Sequence, residues 1–326
     1  MRVFFILTSI LLFASCSKYH FDEGFTQGTT YHIKYKHSRN LKVETENLLK
    51  DFDNSLSTYN QNSVLSRINQ NDSTVVADAY VLNCIAKALE ISAITGGAFD
   101  ITVAPLVNAW GFGFKKMQSV DSAMIQKLME NIGYEKIKIA DNRILKQKPE
   151  IMIDCSGIAQ GYSVDLVAEM FEKEGIENYM VEIGGEIRAK GVNPDGIAWR
   201  IGIDKPVENS DLSNRDLQDV VSLCNVSVST SGNYRKFYEK DGVKYAHTIH
   251  PKTGYPANSN MLSATVMASS CMEADALATA FMVLGFEKSL GLSRSIPEME
   301  VYFIYNDSLG NYKVYYSDGF EKIIEK

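Results

Sequence analysis

The sequence has no block of lysine and arginine residues. Its 33 basic residues are outnumbered by 40 acidic ones, which gives a formal net charge of −7. Nucleic-acid binding needs a basic surface that neutralises phosphates, so we expect no nucleic-acid partner. Long low-complexity runs are also missing, and 45% of the residues are hydrophobic against 22% charged. This balance excludes a disordered chain and predicts a globular protein.

The few cysteines form no recognisable metal or redox motif. There are five, and none belongs to a CxxC pair or to a cysteine–histidine spacing. A zinc site of that kind is therefore not expected, and the histidine spacing excludes an HExxH zinc protease. We interpret four of them as core residues and leave any disulfide pairing open. These four are Cys84, Cys155, Cys224 and Cys271.

The N-terminus has the anatomy of a signal peptide. An apolar run over 3–13 follows Arg2 and leads into Ala14, Ser15 and Cys16. The run is too short to span a membrane as a helix. Small residues before a cysteine resemble the lipobox of bacterial lipoproteins, which predicts cleavage before Cys16 and lipidation of its side chain. Ordinary secretion with an unmodified cysteine is the alternative.

No repeat and no Pro- or Gly-rich linker divides the remaining chain. We expect a signal peptide over 1–15, a lipid-anchored tether over 16–23, and one large unit over 24–326, with two intertwined lobes as an option. The predicted class is α+β, with mixed, largely antiparallel sheets and packed helices. Helical spacing predicts helices over 41–55, 80–96, 121–133, about 161–174 and 271–284. Alternation and apolar runs predict strands over 25–36, 151–154, 179–191, 199–203, about 220–230, 243–249, 262–268 and 300–315.

A glycine-bearing loop after the predicted strand 151–154 is the first candidate site. Asp154 ends the strand, and Gly157 and Gly161 lead into a helix. Loop amides and a helix N-terminus attract phosphate, while Asp154 could contact a ligand or a cation. A plain tight turn explains the same pattern equally well.

The apolar helix 271–284 supplies the second candidate. Asp275 and Thr279 are spaced i and i+4, which places both oxygens on one face of the helix. A carboxylate among apolar residues is costly unless it is paired or binds a metal, so the two side chains could form an edge of a Mg²⁺ site. The alternative is that the helix dipole favours Asp275 and that Thr279 bonds its own backbone.

Two further segments carry polar or aromatic chemistry. His247 lies in a strand-end segment before the PKTG turn and could act as a base or contact phosphate, whereas His250 could belong to the turn alone. The stretch 97–113 mixes aromatic residues, glycines and Asp100 and could wall a planar ring, although core packing explains it as well. Tyr59 lies in a polar turn, at the surface or in a site.

Taken in order, these segments resemble the ApbE family of FAD:protein FMN transferases over nearly the whole mature sequence. Any one of the matching motifs is weak, but their joint order is highly specific. The motifs are QGTTY (27–31), LSTYNQNSVLSRIN (56–69), GAFDITVAPLVNAWGFG (97–113), DCSGIAQGYSVD (154–165), VEIGGEIRAKG (181–191), STSGNYRKF (229–237), HTIHPKTGYP (247–256) and CMEADALATAFMVLG (271–285).

The resemblance implies an enzyme that uses Mg²⁺ to move the FMN half of FAD onto a threonine or serine hydroxyl of another protein, with release of AMP. It implies catalytic roles for His247 and Asp275, with the choice between His247 and a neighbouring carboxylate as proton acceptor left open. By position, the Mg²⁺ ligands would come from Gly157, Asp275, Ala278 and Thr279. The FAD contacts would come from Gln27, Tyr59, Ala98, Phe99, Asp100, Asp154, Gln160 and Ile249.

The sequence departs from the commonest family pattern at three positions. Gln27 replaces a usual methionine, Gln160 a common lysine, and His250 a usual aspartate before the proline. The resemblance also implies a location in the bacterial cell envelope, anchored to a membrane by lipid and facing the periplasm. The acceptor would then be a subunit of a membrane redox complex. Two rival functions are an FAD pyrophosphatase that releases FMN and AMP, and a lipoprotein that binds FAD without turnover.

Overall fold

The computed structural model describes residues 17–112, 120–206, 216–233, 237–240, 243–246 and 248–325. The helices are α1 (Lys42–Leu56), α2 (Val64–Asn69), α3 (Ala79–Ile94), α4 (Ala104–Ala109), α5 (Ser122–Met129), α6 (Ala159–Lys173), α7 (Cys271–Leu284), α8 (Phe286–Ser293) and α9 (Asp318–Glu321), with a 3₁₀ turn at Tyr134–Lys136. The strands are β1 (Lys18–Thr26), β2 (Thr29–His37), β3 (Ile137–Ala140), β4 (Arg143–Lys146), β5 (Tyr179–Ile183), β6 (Glu186–Lys190), β7 (Trp199–Asp204), β8 (Leu217–Leu223), β9 (Val226–Gly232), β10 (Phe237–Lys240), β11 (Val243–Ala246), β12 (Met261–Ala268), β13 (Glu300–Asn306) and β14 (Tyr312–Tyr316).

An eight-stranded sheet forms the centre of the fold, in the order β1-β2-β5-β6-β9-β12-β13-β14. Three two-stranded sheets, β3–β4, β7–β8 and β10–β11, accompany it. Every ladder among the described residues is antiparallel. The expected α+β class, with largely antiparallel sheets packed by helices, is therefore confirmed.

Helices cover one face of this sheet. The largest apolar cluster joins α3 and α7 to the inner side of β12 and β13, and a second cluster packs α6 and α1 on β2 and β5. The β7–β8 hairpin and α9 cover the opposite face. They form a third apolar cluster with residues of β6, β9 and β13. The outer face of the edge strand β1 and of its neighbour β2 extends beyond that cover, although Tyr19 near the start of β1 packs against the third cluster.

Two predicted elements are wrong. Residues 151–154 form no strand; instead, the Asn69 side chain bonds both the N–H and the C=O of Ile153, each at 2.8 Å, in place of a neighbouring strand. The expected tether 16–23 is already strand from Lys18 onward, because β1 pairs along its whole length with β2 and buries His20 and Asp22. The single strands expected over 179–191 and 300–315 are hairpins.

The cysteines divide into two groups. Cys84, Cys155 and Cys271 are buried, as the interpretation as core residues requires, but Cys224 is exposed in the turn between β8 and β9. The interpretation of Cys224 as a core residue is therefore wrong. It lies in an exposed turn beside Asn225, which adopts a left-handed backbone conformation. Among the described helices, none is both long and apolar enough to cross a membrane.

The helix α7 carries the second candidate site and is anchored at its N-terminus. The Ser270 side chain caps it by accepting from the Glu273 N–H. The buried carboxylate of Asp165, on α6, accepts from the N–H groups of Cys271 at 3.0 Å and Met272 at 2.8 Å. A carboxylate is favoured at the positive end of a helix, so α6 fixes the start of α7 and with it the position of Asp275.

Candidate active site

A cavity of about 470 Å³ collects most of the predicted site residues. Its walls come from the start of α6, one face of α7, the end of β9, and the loops at 97–103 and 248–251. Twelve residues are predicted from the sequence to contact FAD or the metal, and ten of them line this cavity. These are Tyr59, Ala98, Phe99, Asp100, Asp154, Gly157, Gln160, Ile249, Asp275 and Thr279.

Asp275 is a buried carboxylate on the cavity wall. It is 5% exposed, and its Oδ2 accepts from the Gly161 N–H at 3.1 Å. Glycine is needed at 161 because a β-carbon there would lie 2.3 Å from the Cys271 carbonyl oxygen. Burial raises the pKa of Asp275 to about 7, although the Gly161 N–H partly offsets this by stabilising the charged form.

Gly157 brings the glycine loop against the same face of α7. A β-carbon at 157 would lie 3.2 Å from Thr279 Oγ1 and 3.3 Å from the Phe99 ring. The hydrogen bond described for Thr279 joins its Oγ1 to Ser231 Oγ at 3.3 Å. The alternative in which Thr279 bonds its own backbone is therefore not what the structure shows. The two candidate sites meet, as the family resemblance implied.

Glu186 is a cavity residue that the sequence did not reveal. It begins β6 after the Gly184–Gly185 turn, is 7% exposed, and has a buried Oε2 without a hydrogen-bond partner. Burial, together with the nearby charge of Asp275, raises its pKa well above the ordinary range. An acid inside the apolar strand pair was a visible signal, but no sequence spacing connects residue 186 with residue 275.

Two other predicted residues, Asp154 and Asp100, shape the cavity wall. Asp154 Oδ1 accepts from the N–H and hydroxyl of Ser156, which fixes the loop that carries Gly157. Asp100 is engaged in structure, since Oδ1 accepts from Thr102 and Oδ2 from the Tyr134 N–H. Burial raises the pKa of Asp100. The Asp100 carboxylate thus holds the loop in place.

The remaining predicted FAD contacts differ in where they lie relative to the cavity. Tyr59 is 77% exposed and also lines an adjoining cavity of about 630 Å³, which shares Asp154 with the first. The Gln160 side chain lies against Gly184, where a β-carbon would be 2.5 Å from Nε2 and 2.9 Å from Thr29. Gln27 lies in the turn between β1 and β2 and does not line the 470 Å³ cavity, yet its buried Nε2 has no hydrogen-bond partner.

Two predicted residues, His247 and Cys16, lie outside the described residues, so their roles stay predictions. Ala278 is fully buried on α7 and is not a lining residue, and its metal contact stays a prediction. His250 closes the PKTG turn by accepting from the Lys252 N–H at 3.2 Å, which supports the structural alternative.

The donor set suits a hard cation and phosphate. The two buried carboxylates, the Thr279 hydroxyl and the backbone carbonyls of the Gly157 loop are oxygen donors of the kind that Mg²⁺ prefers. In the described part of the chain, no three histidine, cysteine, aspartate or glutamate side chains cluster as a metal site. A cation here would therefore need carbonyl, hydroxyl or ligand oxygens as well. The start of α6 at Ala159 adds a helix N-terminus, which attracts phosphate.

Comparison with known proteins identifies the family of this chain. A sequence model described as the ApbE family matches residues 27–303. The FAD:protein FMN transferase of Vibrio cholerae is 40% identical, with 98% of each chain covered, and that of Haemophilus influenzae is 38% identical, covering 93% of this chain and 90% of the relative.

Solved structures agree with the sequence comparison. The flavin transferase ApbE from Vibrio cholerae superposes with a TM-score of 0.84 at 38% identity, covering 94% of this chain and all of the other. The apo flavinyl transferase ApbE of Pseudomonas stutzeri gives a TM-score of 0.81 at 32% identity, with 94% and 97% covered. The family resemblance expected from the ordered motifs is confirmed, and the chain belongs to the ApbE family.

Proposed function

We infer that the chain is an FAD:protein FMN transferase. Relatives that carry this activity in their names align with it over almost their whole length, which supports the assignment. The structural observation that carries it is the meeting of the Gly157 loop with Asp275 and Thr279 in one cavity beside a helix N-terminus. This arrangement suits phosphate transfer, because positioned donors can stabilise charge that grows on phosphate oxygens.

The reaction exchanges the phosphoanhydride bond of FAD for a phosphoester bond to the acceptor. The acceptor's threonine or serine oxygen bonds to the phosphorus of the FMN half, the bond from that phosphorus to the bridging oxygen breaks, and AMP leaves with that oxygen. The hydroxyl proton passes to a base, for which His247 is our candidate and a neighbouring carboxylate the alternative. Phe99, Ala98 and Ile249 supply apolar wall to exclude water.

We propose that Mg²⁺ serves this site through Asp275, Thr279 and backbone carbonyls of Gly157 and Ala278. When bound, the cation would supply the positive charge that stabilises the phosphate oxygens in the transition state. The fit rests on the chain itself: Asp275 and the partnerless Glu186 oxygen are buried oxygen donors whose charged forms are disfavoured by burial, and an oxygen-binding cation would stabilise those charged forms. Asp275 would then be held charged by the cation.

The experiment that tests the function measures where the flavin goes. Purified chain, FAD, Mg²⁺ and an acceptor protein are incubated, and the acceptor is weighed by mass spectrometry while AMP is quantified. We expect one FMN per acceptor and equimolar AMP. FMN found in solution alone would favour the pyrophosphatase, and full recovery of FAD would favour the non-catalytic carrier.

The variant Asp275→Ala is expected to abolish Mg²⁺-dependent AMP release while the fold persists, since it removes a proposed metal ligand from the wall of a preformed cavity. Glu287→Ala removes an exposed carboxylate from the adjoining helix α8 and serves as the matched control. Retention of full activity in Asp275→Ala would remove the metal assignment.

We further propose that the chain is lipidated at Cys16 and acts in the bacterial cell envelope, facing the periplasm, on a subunit of a membrane redox complex. The support is the signal-peptide anatomy of residues 1–15 and the small residues that precede Cys16. The mass of the N-terminal peptide from the native host tests this directly. An acyl-modified peptide that begins at Cys16 is expected, and an unmodified one would leave ordinary secretion.

A further inference from the structure

The outer face of β1 and β2 combines exposed aromatic rings with lysines. On β1, Phe21 is 61% exposed and Phe25 is 73% exposed, with Tyr19 on the same side of the strand. We call these three rings, together with Lys34 and Lys36, the β1–β2 face. Its residues alternate with His20 and Asp22, which point inward and are buried.

Register puts each lysine beside a ring. Phe21 pairs with Lys34 and Tyr19 with Lys36. Lys34 Nζ lies 5.7 Å from the centre of the Phe21 ring, and Lys36 Nζ lies 6.0 Å from that of Tyr19. Two acids also face this side: Glu23 lies opposite His32, and Glu182 pairs with His32 at 2.5 Å. The positive charge is therefore confined to the Lys34 and Lys36 end of the face, and no apolar cluster of the described residues covers its phenylalanines.

The start of β1 limits where this face can lie. The first strand residue, Lys18, follows Cys16 by two positions. An extended chain spans at most about 3.5 Å per residue, so the sheet edge begins within about 7 Å of the sulfur-bearing residue. A tether of that length cannot hold the strand away from a bilayer in which an acylated Cys16 is embedded.

The chemistry of the face matches a membrane surface. Aromatic side chains favour the interface between headgroups and acyl chains, and lysines near the surface are attracted to anionic lipids. A lipid anchor joined to a basic surface is also the usual way to hold a protein firmly at a membrane.

We propose that the β1–β2 face lies on the surface of an anionic phospholipid bilayer when the chain is anchored through Cys16. The inference rests on the proposed lipid anchor and is independent of flavin transfer. It orients the molecule: the helix layer and the cavity wall formed by α7 lie on the other face of the sheet and are turned from the bilayer.

The test places tryptophan on the face and measures its depth. Full-length chain from the native host, carrying Phe21→Trp, is reconstituted in vesicles of phosphatidylethanolamine and phosphatidylglycerol with brominated acyl chains, which quench tryptophan at short range. Leu309→Trp is the matched control, because Leu309 is 84% exposed in the β13–β14 turn at the opposite edge of the sheet. The signal of the native Trp110 and Trp199 is measured in the parent chain and subtracted.

We expect strong quenching at position 21 and none at position 309. Adding Lys34→Glu and Lys36→Glu should reduce the quenching at position 21 by roughly two-fold or more, because two attractive charges become repulsive. Adding Lys313→Glu, on β14, should not. Equal quenching at positions 21 and 309, or none at either, would overturn the inference.

The mass of the N-terminal peptide of the same sample reports separately on the anchor. Quenching at position 21 in a chain without acyl groups would support the face while refuting the anchor. An acylated chain without quenching at position 21 would support the anchor while refuting the face. Neither the quenching nor the peptide mass depends on flavin transfer, so both results are separate from the proposed function.

Discussion

Glu186 and Asp275 place two buried carboxyl groups on one cavity, and each makes the other harder to ionise. Glu186 approaches from the sheet and Asp275 from α7. Without a cation, the cheapest state of the pair holds at least one proton. A bound cation would instead stabilise the charged forms of both carboxylates. A substitution that removes the charge of one carboxylate and keeps its shape separates these two effects.

Glu186→Gln is expected to weaken Mn²⁺ binding about ten-fold in the absence of FAD, measured by calorimetry, since residues that support metal ligands commonly contribute 10- to 100-fold. The same variant should raise the free energy of unfolding of the metal-free chain near neutral pH, because glutamine, unlike a buried glutamate with a raised pKa, does not have to take up a proton on folding. Glu177→Gln, an exposed carboxylate before β5, is the control. Unchanged Mn²⁺ affinity would show that Glu186 does not act on the cation.

Asp275 should also leave a signature in the pH dependence of stability. Its folded pKa, about 7, is above the value near 4 of an unfolded aspartate. Between these pH values the folded state holds the extra proton, so the stability of the metal-free chain falls as pH rises, by up to about 1.4 kcal/mol per pH unit for one group.

Urea unfolding in EDTA between pH 4.5 and pH 7 measures this decline. Asp275→Asn should flatten the profile, because asparagine does not titrate, and Mg²⁺ should flatten it in the parent chain. Parallel profiles for the parent and Asp275→Asn would contradict the raised pKa.

The sequence identified part of this chemistry at single residues. Asp275 and Thr279 were predicted to share a helix face, since helical periodicity is local, and both line the cavity. Glu186 was missed because its neighbour in space is 89 positions away along the chain, a separation that no local pattern encodes. The FAD contact of Asp100 stays a prediction: the residue lines the cavity, and its carboxylate also accepts from Thr102 and from the Tyr134 N–H.

At the scale of elements, one buried carboxylate links α6, α7 and the sheet. Asp165 accepts from two N–H groups at the start of α7 and from Arg188 Nη1 on β6 at 2.9 Å. Arg188 also reaches Glu172. Burial raises the pKa of Asp165, while these donors act in the opposite direction by stabilising its charged form. The network sets where α7, and hence Asp275, lies relative to α6.

Asp165→Asn is expected to lower the free energy of unfolding by about 3 kcal/mol, because it leaves Arg188 partly buried without its closest partner and weakens the α7 cap. Chemical denaturation measures the change. Glu169→Gln alters an exposed carboxylate of the same helix and should stay within about 0.5 kcal/mol of the parent. A loss no larger than in this control would show that the network does not hold α7.

Helices with a long apolar periodicity were predicted correctly. A segment whose backbone is bonded by a side chain was mistaken for a strand. The helices near 41–55, 80–96 and 271–284 are present with small shifts of their ends. Residues 151–154 look like a strand but are bonded by the Asn69 side chain, a partner that the local sequence cannot name. The strand β1 was interpreted as a tether because its buried side is polar: His20 stacks on Tyr35, and Asp22 accepts from the Tyr35 hydroxyl at 2.9 Å.

For the molecule as a whole, binding of FAD with Mg²⁺ should stabilise the fold. At a ligand concentration 100 times the dissociation constant, the free energy of unfolding should rise by about 2.7 kcal/mol. Urea unfolding with and without FAD measures this, and EDTA should remove a large part of the gain. The same gain in EDTA as in Mg²⁺ would show that the cation takes no part in holding the dinucleotide.

The cavity walls run from Tyr59 to Val283 in the chain, and the strands that frame them alternate early and late segments across the sheet, as β6 beside β9 and β9 beside β12. Contacts between distant segments close slowly, since loop entropy must be overcome first. A chain that is still folding therefore has no complete flavin site until α7, near its end, is in place. Capture of FAD reports completed folding, and a partly folded chain leaves the dinucleotide pool untouched.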